Sequence, residues 1–123
     1  MAKYSLKQIE AIEGKQQFHK LCIDGTCQFD EYELEIENQG QYEEELSSIY
    51  ALMEDVANNK LLPKKKFRDI TIDKSNIKEY EFKTKHLRVY AIKQPNGKLI
   101  ILGGYKNQQK KDIRKFRNIK EAY

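Results

Sequence analysis

The chain predicts an α+β domain with an antiparallel sheet, and three observations lead to that class. A strongly amphipathic acidic stretch lies before the middle, β-rich segments broken by a turn signal follow it, and a basic stretch with helical spacing closes the chain. With 123 residues, of which 34% are charged and 39% apolar, there is material for one small domain spanning 1–123. No apolar run reaches the roughly 18 residues that a membrane span needs. The start, Met1-Ala2-Lys3-Tyr4-Ser5-Leu6-Lys7-Gln8-Ile9, has no apolar signal core. The expectation is therefore a cytoplasmic protein with no membrane partner.

Gln16 to Ile23 reads as the first strand. Asp24-Gly25 then supplies a two-residue hairpin turn, whose central positions both need positive φ. That turn sets Cys22 opposite Cys27. A disulfide is geometrically conceivable in this register, yet one isolated pair in a chain without a leader reads as two reduced thiols. With only His19 and His86 to join the two cysteines, a structural zinc site lacks ligands.

Phe29 to Glu37 fits two readings. Tyr32, Leu34 and Ile36 alternate as in a strand, while the preponderance of Glu and Leu favours a helix capped by Asp30. Gln41 to Asn58 is unambiguous: Tyr42, Leu46, Ile49, Tyr50, Met53, Val56 and Ala57 recur at three- and four-residue spacing. Glu43, Glu44 and Glu45 crowd the first turn, where the helix dipole favours them. Asn58-Asn59 and Pro63 end this helix, and Leu62 to Arg68 is a basic connector in which Phe67 inserts into the core while the lysines stay wet.

From Glu79 the pattern becomes extended. Tyr80-Glu81-Phe82-Lys83 alternates, Leu87 to Ile92 is β-rich, and Leu99-Ile100-Ile101-Leu102 is a short apolar run. Gln94-Pro95-Asn96-Gly97 marks a turn, so these segments predict an antiparallel meander. Beyond Gly103-Gly104, Ile113, Phe116 and Ile119 keep three-residue spacing among Lys110, Lys111, Arg114, Lys115 and Arg117. That predicts a terminal helix docked on the sheet.

The formal charge of +4 hides a segregation. Residues 1–59 hold 4 basic and 13 acidic groups, a net of −9, whereas residues 60–123 hold 19 basic and 6 acidic groups, a net of +13. A basic half of that density fits a polyanionic partner, because clustered Lys and Arg gain affinity by releasing counterions from phosphates. The competing reading is a charge-rich surface whose halves neutralise one another within the fold.

Two stretches carry a resemblance. They are Glu81-Phe82-Lys83-Thr84-Lys85-His86-Leu87-Arg88-Val89-Tyr90 and Ile100-Ile101-Leu102-Gly103-Gly104-Tyr105-Lys106-Asn107-Gln108-Gln109-Lys110-Lys111. Together they resemble the RelE/HigB toxin superfamily, particularly its phage-derived branch, with an Arg-aromatic strand followed by a glycine-aromatic turn into a lysine-rich segment. The motifs cover roughly the second half of the chain, and the helix from Gln41 with Leu62 to Phe67 fits the preceding part of the same domain. The first 15 residues have no assigned counterpart. The resemblance implies a RelE-like small domain, with two helices and a terminal helix around a curved antiparallel sheet. It also implies a toxin of a toxin-antitoxin pair: a metal-independent endoribonuclease that cuts mRNA on the ribosome, inhibits translation and is neutralised by an antitoxin protein.

Such cleavage needs a base for the ribose 2′-OH, positive charge on the phosphate and an acid for the departing 5′ oxygen. Arg88 aligns with the family's strand arginine and is the expected phosphate clamp, against a salt bridge to Glu79 or Glu81. Lys83 and Lys85 share strand parity and fit RNA steering or, for Lys85, base catalysis, against plain surface lysines. Lys106 and Lys110 match the lysine-rich turn, and their four-residue separation predicts a common helical face. They are candidates for general acid or transition-state stabiliser, with Lys111 and Arg114 as further RNA contacts. The competing reading is a basic helix face that binds an acidic antitoxin.

His86 has the right intrinsic pKa for RNA chemistry, although its parity opposes Lys85 and its place beside Leu87 turns it toward the core. Tyr105 is the expected base-stacking residue, and Tyr90 is expected in the core. Asn107 and Ile113 stand near the places where the best-known members carry an additional Arg and a Tyr. A noncatalytic RNA- or protein-binding module on the same fold is the alternative.

Overall fold

The computed structural model describes residues 1–72 and 75–123. Strands β1 (Tyr4–Gln8), β2 (Gln17–Ile23) and the two-residue β3 (Thr26–Cys27) precede helices α1 (Gln28–Gln39) and α2 (Glu43–Ala57). Strands β4 (Phe67–Asp69), β5 (Glu79–Lys83), β6 (Leu87–Gln94) and β7 (Gly97–Tyr105) follow. A 3-10 turn over Lys106–Gln108 then leads into α3 (Gln109–Ala122). This is an α+β arrangement, and no helix among the described residues is long and apolar enough to cross a membrane.

The expected antiparallel sheet needs correction, because the sheet is mixed. Its strands run in the order β1-β2-β7-β6-β5-β4, and β2 lies parallel to β7, with Gln17 opposite Gly97 and Lys20 opposite Ile100. Parallel neighbours require a long crossover, and the chain between them supplies it with α1, α2 and the meander itself. The meander of β5, β6 and β7 is antiparallel as expected, with Phe82 opposite Val89 and Tyr90 opposite Leu102. The unassigned first 15 residues add β1 as an edge strand on β2 and place Ile9 and Ile12 in the core.

The hairpin after β2 forms as the Asp-Gly pair requires, with φ of 50° at Asp24 and 85° at Gly25. It sets Cys22 opposite Cys27, and the two are joined as a disulfide; the expectation of reduced thiols is corrected by that register. In α1 the helical reading prevails because Phe29, Tyr32 and Ile36, at three- and four-residue spacing, make one buried face while Leu34 stays exposed. Gly40 ends it in the left-handed region with φ 70°, its N–H donating to the Ile36 carbonyl at 2.9 Å.

Helices α1 and α2 cover one face of the sheet, packing Phe29, Ile36, Ile49 and Met53 on Phe18, Val89 and Ile100. On the other face α3 packs Phe116, with Ile113 and Ile119, on Leu21, Tyr90 and Leu99. The charge segregation survives in space: α1 and α2 carry Asp and Glu but no Lys or Arg, while α3 carries Lys110, Lys111, Arg114, Lys115, Arg117 and Lys120 on the opposite side. Phe67 is half-buried against the core, and Lys64, Lys65 and Lys66 are exposed.

Candidate functional site

The site is built around the turn between β5 and β6, Thr84-Lys85-His86. The Thr84 N–H donates to the Leu87 carbonyl at 3.1 Å, and the Lys106 N–H donates to the His86 carbonyl at 2.9 Å, so the start of the 3-10 turn lies beside it. Glu45, in the first turns of α2, clamps this segment. Its Oε1 accepts from the Thr84 hydroxyl at 2.6 Å and from the His86 N–H at 2.8 Å, and its Oε2 lies 2.6 Å from His86 Nδ1. Burial works against the charge on Glu45, but the hydrogen bonds from Thr84 and His86 outweigh it and hold the carboxyl below its ordinary range. With Nδ1 donating to a carboxylate, Nε2 is the His86 nitrogen left for a ligand.

His86 does not turn into the core. Its side chain is 43% exposed, and its ring stacks on Tyr42 with centroids 4.8 Å apart. Tyr105 stands next, 6.1 Å from Tyr42, and its hydroxyl donates to Glu35 Oε1 at 2.8 Å. Burial, then the bond to Glu35, pushes the Tyr105 phenol above its ordinary value, so it remains a protonated donor. These rings, with Lys106, line a cavity of about 590 Å³ between α1 and the start of the 3-10 turn.

On the other side of the same turn lies a second groove, of about 580 Å³, with Lys65, Lys66, Lys83 and Lys85 along one wall and residues of α2 along the other. None of these four lysines has a side-chain ion pair among the described residues; Asp55 in the facing wall pairs with Lys60 at 3.5 Å. Burial, then the charges of Arg68, Arg88 and Lys106 against that of Glu81, pushes Lys83 below the ordinary lysine value. The expected RNA-steering pair thus borders one groove, and His86, Tyr105 and Lys106 border the other.

Arg88 is placed differently from the expected clamp. It is 5% exposed on the α3 side of β6, where its Nη1 donates to the carbonyls of Thr84 at 2.6 Å and Leu87 at 2.8 Å. It holds the turn from inside. Nor does it pair with Glu79 or Glu81, which are both taken: Glu81 by Arg68 at 2.8 Å and Gln109 at 2.7 Å, Glu79 by Arg117 at 3.0 Å and Lys120 at 2.9 Å. Arg88 Nε and the Tyr90 hydroxyl, two residues apart on this strand, are buried without partners among the described residues. Tyr90 lies in the core as expected.

Lys106 begins the 3-10 turn and Lys110 lies in the helix after it, so helical spacing does not relate them. Both border a shallow depression that runs to Lys111, while Arg114 is exposed farther along α3. The sequence-predicted residues therefore fall into three places: the aromatic groove, the lysine groove and the outer face of α3, with Arg88 beneath the turn. Sequence reasoning missed Glu45, Tyr42 and Glu35 as site residues. Glu45 had only the signal of an acid in the first turn of a helix, and its partner His86 is 41 residues away. Among the described residues no group of three or more His, Cys, Asp or Glu is arranged to hold a metal ion. No family model, curated protein or solved structure matches the chain.

Proposed function

We propose that this chain is a toxin of the RelE/HigB kind, an endoribonuclease that cuts mRNA on the ribosome without a metal and is neutralised by an antitoxin protein. The observation that carries the reading is the His86–Glu45 pair, with its Nδ1 to Oε2 separation of 2.6 Å, set beside the Tyr42 and Tyr105 rings and flanked by lysines on both sides. The resemblance of the strand and turn motifs supports it, as does the concentration of positive charge in the second half of the chain.

In this mechanism His86 Nε2 takes the proton from a ribose 2′-OH. The 2′ oxygen forms a bond to phosphorus as the bond to the 5′ oxygen breaks, and Lys106 gives a proton to that leaving oxygen. The products are a 2′,3′-cyclic phosphate and a 5′-hydroxyl. Glu45 stabilises the imidazolium and fixes the ring, while Lys83 and Lys85 draw in neighbouring phosphates. Tyr42 and Tyr105 offer stacking surfaces to unpaired bases. Arg88 acts as a positioning residue that holds the Thr84 and Leu87 carbonyls beneath the catalytic turn.

Expression in bacteria, followed by growth, translation and total-RNA readouts, tests the proposal. Wild type arrests growth and fragments transcripts. His86→Asn or Lys106→Ala lowers cleavage by about 10²-fold or more while leaving the fold intact. Unimpaired growth with intact transcripts overturns the reading. The inward placement of Arg88 favours one alternative, a noncatalytic binding module; salt-sensitive RNA binding with no cleavage under any condition selects it.

A further inference from the structure

The aromatic groove has a polar wall that the cleavage chemistry leaves unused. Gln39 and Gln41 reach it from the end of α1 and the residues after it, and Asn107 and Gln108 from the 3-10 turn. None of these four amide side chains makes a hydrogen bond among the described residues. Glu35, exposed on α1, lines the same groove; its Oε1 accepts from Tyr105 and its Oε2 has no partner among the described residues. A cavity of about 590 Å³ is within the range that encloses a small ligand such as a nucleotide.

We infer that this groove reads one unstacked nucleobase of the RNA, that the base is guanine, and that Glu35 is the residue that selects it. The inference rests on the RNA-cleaving reading above. Its reasoning begins with the rings: Tyr42, His86 and Tyr105 place aromatic side chains in the lining of the groove, and aromatic stacking takes any base. Selection must then come from base edges. A carboxylate offers two parallel acceptors and no donor. Guanine is the base whose pairing edge carries two adjacent donors, N1–H and the N2 amino group. Adenine and cytosine present one amino group beside a ring acceptor, which places a lone pair against the second carboxylate oxygen. Uracil has a single ring N–H between two carbonyls. The unpaired amides complete the site, because their N–H groups donate to guanine O6 and N7. Tyr105 positions the carboxylate through the 2.8 Å bond to Oε1.

The test measures equilibrium binding of fluorescent single-stranded pentanucleotides, otherwise uniform in sequence, with G, A, C or U at the centre. Each pentanucleotide is 2′-O-methylated, so that it lacks the attacking 2′-OH and is not cut, and the proteins are the full chain and the same chain with Glu35→Gln or Glu37→Gln. The G-centred RNA is expected to bind at least about tenfold more tightly than the other three. Glu35→Gln collapses that ratio to within about twofold, and Glu37→Gln, exposed on the same helix outside the groove, leaves it in place. Equal binding of all four RNAs overturns the inference while leaving the RNA-cleaving reading standing. A guanine preference that survives in Glu35→Gln overturns the role of Glu35. Absence of binding to any of the four overturns this inference together with the reading beneath it, and circular dichroism of each variant separates that result from misfolding.

Discussion

Beneath α1 and α2 the sheet buries Phe18, Phe82, Leu87, Val89 and Ile100 against helix residues such as Phe29 and Met53, and no carboxylate of either helix is buried. Beneath α3 it buries Glu79 at 1% and Glu81 at 0% exposure, each held by two partners from α3 and β4. The first face is closed by apolar area, which is tolerant of angle and register. The second has its own apolar cluster around Phe116 and adds directional bonds that fix the position of α3. The candidate site lies where the two regimes meet: Glu45 and Tyr42 belong to the acidic helix α2 and its start, while Lys106 begins the turn that leads into α3. The ionic face fixes the start of α3 against β5, and the apolar face carries α2 to the turn.

Paired truncations probe that contrast most strongly. Ile49→Ala removes fully buried aliphatic volume and is expected to destabilise by about 2–5 kcal/mol. Glu79→Ala is expected to cost about 3–5 kcal/mol, because Lys120, whose side chain is 10% exposed, loses the carboxylate that compensates its charge. The difference appears in rescue. Glu79→Leu combined with Lys120→Met regains much of the loss, since the pair is then replaced by apolar contact. Urea unfolding checks all three. A loss under about 1 kcal/mol for Glu79→Ala would mean that these ions behave as solvated surface groups, and the contrast between the faces would fail.

The glycine pair on β7 offers a sharper comparison, because its two positions look in opposite directions. A Cβ at Gly103 would lie 2.2 Å from the Tyr32 ring on the α1 side, and one at Gly104 would lie 2.0 Å from Asp112 Oδ2 on the α3 side. The Tyr32 ring is wedged in the core with its hydroxyl donating to the Gly104 carbonyl at 2.8 Å, so it has little room to yield. Asp112 meets the added carbon with the far end of a short, partly exposed side chain. Gly103→Ala is expected to lower stability by about 1–3 kcal/mol and Gly104→Ala by about 1 kcal/mol or less. Thermal melts read the order, and its inversion would show that the Asp112 side chain cannot yield where the Tyr32 ring can.

Much of the frame was legible because local periodicity and turn chemistry decide it. Asp24-Gly25 made the hairpin, the spacing from Leu46 to Ala57 made α2, and Asn96 at φ 64° turned β6 into β7. What was illegible depends on partners distant in sequence. Leu34 mimicked strand alternation until the buried trio Phe29, Tyr32 and Ile36 decided for a helix. Glu81 read as a polar position of an alternating strand and a possible partner for Arg88, and its actual partners are Gln109, 28 residues on, and Arg68. Arg88 read as an open clamp for the same reason, since nothing in its own strand announces that α3 covers that face. The site was half legible: His86, Lys106 and Tyr105 belong to the motifs, but Glu45 and Tyr42 enter through α2.

That last contact supports the smallest prediction and the one most specific to the site. The Glu45 carboxyl titrates below its ordinary value of 4.5 in the folded chain, held down by Thr84 and His86 against the effect of burial. A depressed carboxyl stabilises the fold fully above its unfolded pKa, and that contribution disappears as pH falls through the folded pKa. Wild type should therefore exceed Glu45→Gln in stability by under about 1 kcal/mol near neutral pH, and the gap should close as the pH falls below 4.5 toward the folded value. The Tyr42 ring, stacked on His86 at 4.8 Å, reports the same event locally: its proton shifts should move through that window in wild type and stay still in Glu45→Gln. A gap that persists unchanged to the acid limit would assign the effect of Glu45 to packing. In that case the clamp on the Thr84–His86 turn would be steric, and His86 would be left without the charge that its proposed role requires.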